Sequence, residues 1–132
     1  MSKKWSYIIA TALIVGLAYF ITEYTQHKRD QSFLKNAAIT TGVFNGELKE
    51  YKKGSNGPWY VCTYIVNGDS YQATEPYHAV HKFGDRLLIN SFPVIYDSTN
   101  PSEGYVLMFK SEFVRFNLKQ PDSLAWIDNW PD

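Results

Sequence analysis

The chain has 132 residues, with 13 basic and 13 acidic side chains, and this length suits one domain of ordinary size but not two. The zero net charge conceals a split: residues 1–35 carry five basic and two acidic side chains, and the remaining 97 carry eight and eleven. The mildly acidic remainder argues against a surface for nucleic-acid phosphates, and a lone cysteine, Cys62, excludes an intramolecular disulfide.

The first element in chain order is an uncharged segment of 18 residues, 5–22, which follows a basic tail at residues 1–4. At about 1.5 Å per residue a helix of this length extends roughly 27 Å, close to the hydrocarbon thickness of a bilayer. No polar face interrupts it, which disfavours a helix of a globular core. The sequence predicts a transmembrane helix in the lipid bilayer, with four aromatic interface anchors: Trp5, Tyr7, Tyr19 and Tyr24.

The alternative for this segment is a cleaved signal peptide. Gly16 and Ala18 have the small-residue spacing that a cleavage site requires. However, the apolar run continues through Tyr19, Phe20 and Ile21, with no polar region before the possible cut. An uncleaved anchor is therefore the favoured interpretation.

Basic residues flank the segment on both sides, so they leave its orientation nearly balanced. Lys3 and Lys4 precede it, and Lys28, Arg29 and Lys35 follow it. A short basic tail directly before a first span usually stays inside the cell. We therefore expect a single-pass protein of a bacterial inner membrane, with its β domain outside the cytoplasm.

A polar stretch, residues 23–36, is predicted to extend the helix and then to form a linker, and a β domain is predicted over 37–118. Residues 37–44 are rich in β-branched side chains and predict a first strand that ends at Asn45-Gly46.

The strongest local signal is Asn67-Gly68 between two β-type runs, residues 59–66 and 69–75. A two-residue hairpin turn needs positive φ at both positions, which Asn-Gly provides. The resulting register places five side chains on one face of the hairpin: Tyr60, Cys62, Tyr64, Tyr71 and Ala73.

Residues 75–85 predict a loop or short helix that stops at Gly84. Residues 86–97 follow as strand, where Pro93 predicts either two segments or an edge with a bulge, and 105–110 form a final strand. The predicted fold is mainly β, a small five-stranded antiparallel barrel or curved sheet with a short C-terminal helical segment.

The C-terminal tail, residues 119–132, is predicted to form a helical turn or two from Asp122, with Trp126 and Trp130 on the same side. Burying such side chains stabilises by roughly 1.5–3 kcal/mol each. Either they cover an outer sheet face formed by Trp59, Val61 and Ile65, or they contact a partner. Three tryptophans are thus the candidate partner-binding residues: Trp126, Trp130 and Trp59.

From the sequence we predict no catalytic residue, no cofactor and no metal site. His78 and His81 could share a helix face near Glu75 and Asp85, but no recognisable third ligand accompanies them, so polar residues on an exposed loop are the better interpretation. Cys62 lies mid-strand among apolar side chains, where inert buried cysteines occur. Tyr60, Tyr64 and Tyr71 could stack nucleic-acid bases, but without a basic surface they are better assigned to the core.

The chain resembles a bacterial family called domain of unknown function 3592, over about residues 38–109. The segments that carry the resemblance are Thr41-Gly42-Val43, Tyr64-Ile65-Val66-Asn67-Gly68 with Tyr71, Phe83-Gly84-Asp85, and Val94-Ile95-Tyr96-Asp97 leading to Asn100-Pro101-Ser102. Ser98 stands where members tend to have proline, and a second flanking helix is missing. The resemblance implies a small β domain paired with transmembrane helices, and it implies no enzymatic role.

A membrane-anchored β domain without a defensible active site predicts a function in binding. We expect a non-enzymatic accessory or structural subunit of a bacterial envelope complex, which contacts a larger membrane protein. The alternatives are an immunity or inhibitor protein that neutralises a toxin, and an enzyme that uses the loop of His78 and His81.

Overall fold

The computed structural model describes residues 28–50 and 57–131. The chain divides into two units, Met1–Lys35 and Asn36–Asp132. In the first unit, residues 28–34 are helical, within the range over which the sequence predicts an extension of the anchor helix. The second unit contains the sheet.

The second unit is mainly β, and its five strands form one antiparallel sheet. The strands are β1 (Ala37–Lys49), β2 (Trp59–Val66), β3 (Asp69–Pro76), β4 (Ser91–Asp97) and β5 (Asn100–Val106), in the spatial order β3-β2-β1-β4-β5. The sheet curls until its edge strands β3 and β5 approach each other. The predicted barrel-like sheet is thus confirmed, with a seam between β3 and β5.

The β2–β3 hairpin has the predicted register. Asn67 and Gly68 have φ of +53° and +86°, the left-handed conformation that a two-residue turn of this kind requires. Tyr64 pairs with Tyr71, and Cys62 pairs with Ala73. These side chains therefore share one face, and it lines the barrel interior.

The first strand is longer than predicted, because Asn45-Gly46 does not end it. Two extra residues of β1 stand between the pairs Phe44–Cys62 and Leu48–Tyr60, which makes a bulge. Gly46 has φ of +88°, and the Asn45 side chain accepts a hydrogen bond from the Glu47 amide at 2.9 Å. The predicted end of the strand is instead a bulge, and pairing with β2 resumes after it at Leu48.

Three short helical elements follow β3 and precede β4. They are α1 (Tyr77–Val80), a 3₁₀ turn (His81–Phe83) and α2 (Asp85–Ile89), with Gly84 at φ +54° between the last two. The prediction of strand at residues 86–89 is wrong, because these residues belong to α2. Of that run only Leu87 is buried, as expected for a short helix that packs on the core through one side.

Pro93 also has a different position from the predicted one. It lies within a single strand, β4, which is flanked by β1 and β5 and is not an edge. Pairing with β5 begins only at Val94, and beyond it the Pro93 carbonyl accepts a hydrogen bond from the Leu107 amide at 2.8 Å. Proline is tolerated because it stands at the end of that ladder.

The last strand begins and ends earlier than predicted, at Asn100–Val106. Leu107 and Met108 are fully buried but lie outside the strand. Helix α3 (Lys110–Arg115), a 3₁₀ turn (Asp122–Leu124) and α4 (Ala125–Asp128) then complete the chain, which confirms the predicted short C-terminal helical segment.

Two glycines allow close side-chain contacts in the barrel interior. A Cβ added to Gly104 would lie 2.7 Å from the Tyr64 Cζ, and one added to Gly42 would lie 2.7 Å from the Val94 Cγ2. Tyr64 is buried, and its hydroxyl donates a hydrogen bond to the Pro101 carbonyl. This bond joins β2 directly to β5 across the interior.

Candidate functional site

The predicted C-terminal tryptophans lie together in the structure. Trp126 and Trp130 have ring centroids 5.9 Å apart, and each meets the edge or face of buried Phe83, at 5.3 and 5.5 Å. The Arg86 guanidinium lies over both indoles, 4.9 and 5.4 Å from their centroids. Such contacts stabilise by about 0.5–1 kcal/mol each when exposed.

We define the tryptophan cluster as Phe83, Arg86, Trp126 and Trp130; in it Phe83 is buried, the two indoles are half-buried and Arg86 is exposed. Both indoles keep part of their surface in solvent. Ile89 follows Arg86 by three residues on α2, so the two side chains lie on neighbouring positions of one helix face. Ile89 is 78% exposed, the largest exposure among the large apolar side chains of the described residues.

The tryptophans leave the Ile65 end of the outer sheet face uncovered, in contrast to one of the two alternatives. They pack on Phe83, which belongs to the 3₁₀ turn after α1. On the outer face of β2, Val61 is buried, but Ile65 remains 61% exposed. The outer face of β2 is therefore open to solvent at the Ile65 end.

Trp59, the third predicted partner-binding residue, lies at a different place. It lines a cavity of about 190 Å³ at the barrel seam, between the ends of β3 and β5 and beneath α3. The other lining residues are Thr74, Glu75 and Pro76 from β3, Tyr105 and Val106 from β5, and Glu112, Arg115 and Phe116 from α3 and its end. We call this the seam cleft.

The seam cleft contains a buried carboxyl pair. Glu75 is only 6% exposed, and its carboxyl is hydrogen-bonded to that of Glu112. Burial raises the pKa of Glu75 well above its ordinary value, and the neighbouring Glu112 carboxyl raises it further. Glu75 therefore keeps its proton to a higher pH than an ordinary glutamate does.

Glu112 is held as an acceptor by the backbone. One of its oxygens, Oε1, accepts hydrogen bonds from the amides of Met108 and Phe109, at 3.0 and 2.9 Å. These two residues directly precede α3, at the end of the helix where backbone N–H groups lack partners within the helix. The contacts suit a carboxylate, and they orient Glu112 towards β3.

Cys62 is placed where the sequence predicts it, in the interior and without the features of a nucleophile. It is fully buried. Burial, and to a lesser degree the Glu75 carboxyl, raises the pKa of its thiol to about 12. A reactive cysteine needs the opposite shift, because the thiolate is the nucleophile.

The two histidines do not form a metal site with their neighbours. His81 stacks on Tyr77 with ring centroids 4.8 Å apart, and its Nδ1 lies 3.0 Å from the Tyr77 carbonyl oxygen. Across residues 28–50 and 57–131, no three side chains of His, Cys, Asp or Glu come together in a way that could hold a metal ion.

Glu75 was not predicted to be an interior residue, although the strand pattern indicates it. The predicted register places Tyr71 and Ala73 inward, and the period of two along a strand carries the same face to Glu75. Its partner Glu112 follows it by 37 positions, on a helix that was not predicted. No local sequence pattern could have predicted the contact between Glu75 and Glu112.

The predicted transmembrane helix, residues 5–22, and its aromatic anchors fall outside the described residues. Among those that are described, no helix has the length and apolar character needed to cross a bilayer.

Comparisons with models of protein families, with curated protein sequences and with solved structures return no match for this chain. The resemblance to domain of unknown function 3592 accordingly stays a prediction.

Proposed function

We propose that the chain is a non-enzymatic, single-pass membrane protein that acts by protein–protein contact, as an accessory or structural subunit of a bacterial envelope complex. Its uncharged segment, residues 5–22, supports the assignment of a transmembrane anchor. The basic tail before this segment favours a β domain outside the cytoplasm. Its partner is a larger membrane protein.

The observation that carries this proposal is the tryptophan cluster beside Ile89. Tryptophan and arginine are the residue types most enriched among those that dominate binding energies. Here Arg86 is already held over Trp126 and Trp130, so little side-chain freedom would be lost on binding. The exposed Ile89 side chain extends the cluster with apolar surface that a partner would cover.

Purification of the affinity-tagged full chain in mild detergent tests the proposal. A membrane protein should be recovered with it at constant stoichiometry. Ile89→Ser removes exposed apolar surface without disturbing the core, and we expect it to reduce recovery on the order of tenfold, equivalent to about 1.4 kcal/mol of binding free energy. Co-purified protein is measured by quantitative mass spectrometry.

The matched control is Ile65→Ser, which removes a side chain of similar type and high exposure from the outer face of β2. It should leave recovery unchanged. A chain that purifies without a companion, or equal losses in both variants, contradicts the proposal. The alternative, an immunity or inhibitor protein, instead predicts that deletion of the gene is lethal only in cells that produce the cognate toxin.

A further inference from the structure

Helix α3 lies across the seam where the barrel fails to close. Its residues Glu112 and Arg115 line the seam cleft together with Glu75 of β3 and Tyr105 of β5. Both of those strands are sheet edges, so main-chain pairing does not join them at this point. The contacts made by α3 therefore contribute to holding the seam together.

The contact between α3 and β3 includes a hydrogen bond between two carboxyl groups, Glu112 and Glu75. Two carboxylates repel each other, so this bond needs one proton between them. Glu112 Oε1 already accepts two backbone N–H groups, and Glu75 is the more deeply buried. The proton consequently belongs to Glu75, which donates it towards Glu112.

Other titratable and charged groups face this pair. Cys62 of β2 is close enough for its charge to interact with Glu75, but its thiol stays neutral because its pKa is about 12. Tyr60 of β2 pairs with Glu75 across the hairpin, and the Tyr105 ring lines the cleft. The Arg115 guanidinium also lines it, lying 5.0 Å from the Tyr105 ring centroid.

We propose that the Glu75–Glu112 pair is a proton-dependent contact that holds α3 across the barrel seam, and that loss of the shared proton to solvent loosens α3 from β3. The folded state favours the protonated form of Glu75. The stabilising effect is therefore complete below the ordinary pKa of 4.5, and it is lost as the pH rises through the higher pKa of Glu75 in the folded protein.

Hydrogen exchange of the α3 amides (Lys110–Arg115) in the full chain, in mild detergent, tests this inference across about pH 5 to pH 9. After correction for the chemical exchange rate, protection of α3 should fall with rising pH by up to about tenfold per pH unit, the limit for one proton. Amides of β2 should keep their protection over the same range.

Glu75→Gln is the decisive variant, because its amide donates to the Glu112 carboxylate at every pH. Protection of α3 should then be high and independent of pH. Glu47→Gln, which changes an exposed carboxyl on β1, is the control and should behave as the wild type. If Glu75→Gln does not fold, Glu112→Gln should reduce the pH dependence, since glutamine can pair with Glu75 in either protonation state and can still accept the backbone N–H groups.

Three results would overturn the inference. The first is α3 protection that is independent of pH in the wild type. The second is the same fall with pH in Glu75→Gln. The third is a parallel loss of protection in β2, because that would indicate unfolding of the whole barrel and not release of α3.

Discussion

Two interior positions of the same hairpin are stabilised in different ways. Tyr64 of β2 contacts the opposite strand β5, and the absence of a side chain at Gly104 makes room for its ring. Glu75 of β3 instead meets Glu112 of α3, through a hydrogen bond that needs a proton. One contact depends on shape and the other depends on pH.

The difference follows from what each position faces. Around Tyr64 the chain provides rings and backbone: Tyr71 and Tyr96 stack on it with centroids 5.8 and 6.2 Å away, and Pro101 accepts its hydroxyl hydrogen. Burial, with smaller effects of Tyr71 and Cys62, raises the pKa of Tyr64 to about 12. The Tyr64 contact does not change over the pH range in which Glu75 loses its proton. Substitutions around Tyr64 should therefore lower the free energy of unfolding by the same amount at about pH 5 and about pH 8.

The largest effect is expected for Tyr64→Ala. Removing a buried ring leaves a cavity between β2 and β5, so the free energy of unfolding should fall by about 3–5 kcal/mol. Urea unfolding of the full chain in mild detergent measures this loss. A loss under about 1 kcal/mol would show that the Tyr64 contact does not stabilise the barrel.

Gly104→Ala tests the same contact from the opposite strand. The new Cβ would overlap the Tyr64 ring, which must move and weaken its bond to Pro101. The expected loss is about 1–3 kcal/mol, as for other overpacked cores, measured by the same unfolding experiment. The double variant with Tyr64→Ala should lose less than the sum of the two single losses, because the overlap is then absent.

Tyr64→Phe keeps the ring and removes only the hydroxyl group. The Pro101 carbonyl then loses its donor, which should cost about 0.5–1.5 kcal/mol in the free energy of unfolding. Equal losses at the two pH values would support the comparison with the seam. A loss present only at the higher pH would contradict it, because the Tyr64 contact would then be linked to the carboxyl pair.

The smallest effect is expected for Ile65→Ser, next to Tyr64 in sequence but on the outer face. Its side chain is largely exposed, so the free energy of unfolding should change by no more than about 0.5 kcal/mol. A larger loss in urea unfolding would show that the outer face of β2 is covered after all.

Local sequence was sufficient for the hairpin and for the pairing of the C-terminal tryptophans. Asn67-Gly68 accepts positive φ at both positions, and this sets the register of every pair from Trp59 to Pro76. Trp126 and Trp130 are four residues apart, and α4 (Ala125–Asp128) with the turn after it brings their rings together. In both cases the deciding interactions lie within a few residues.

Only the tertiary structure determined what these elements contact. Asn45-Gly46 has the composition of a strand end, and pairing of β1 with β4 does end before it, at Val43. Pairing with β2 nevertheless resumes at Leu48, so β1 continues through the dipeptide as a bulge. The tryptophans pack on Phe83 and Arg86, some 40 positions earlier in the chain. The partner of Glu75 is likewise distant in sequence. Patterns within a strand or helix indicate which face is buried, but which distant side chain meets that face depends on how the sheet curls.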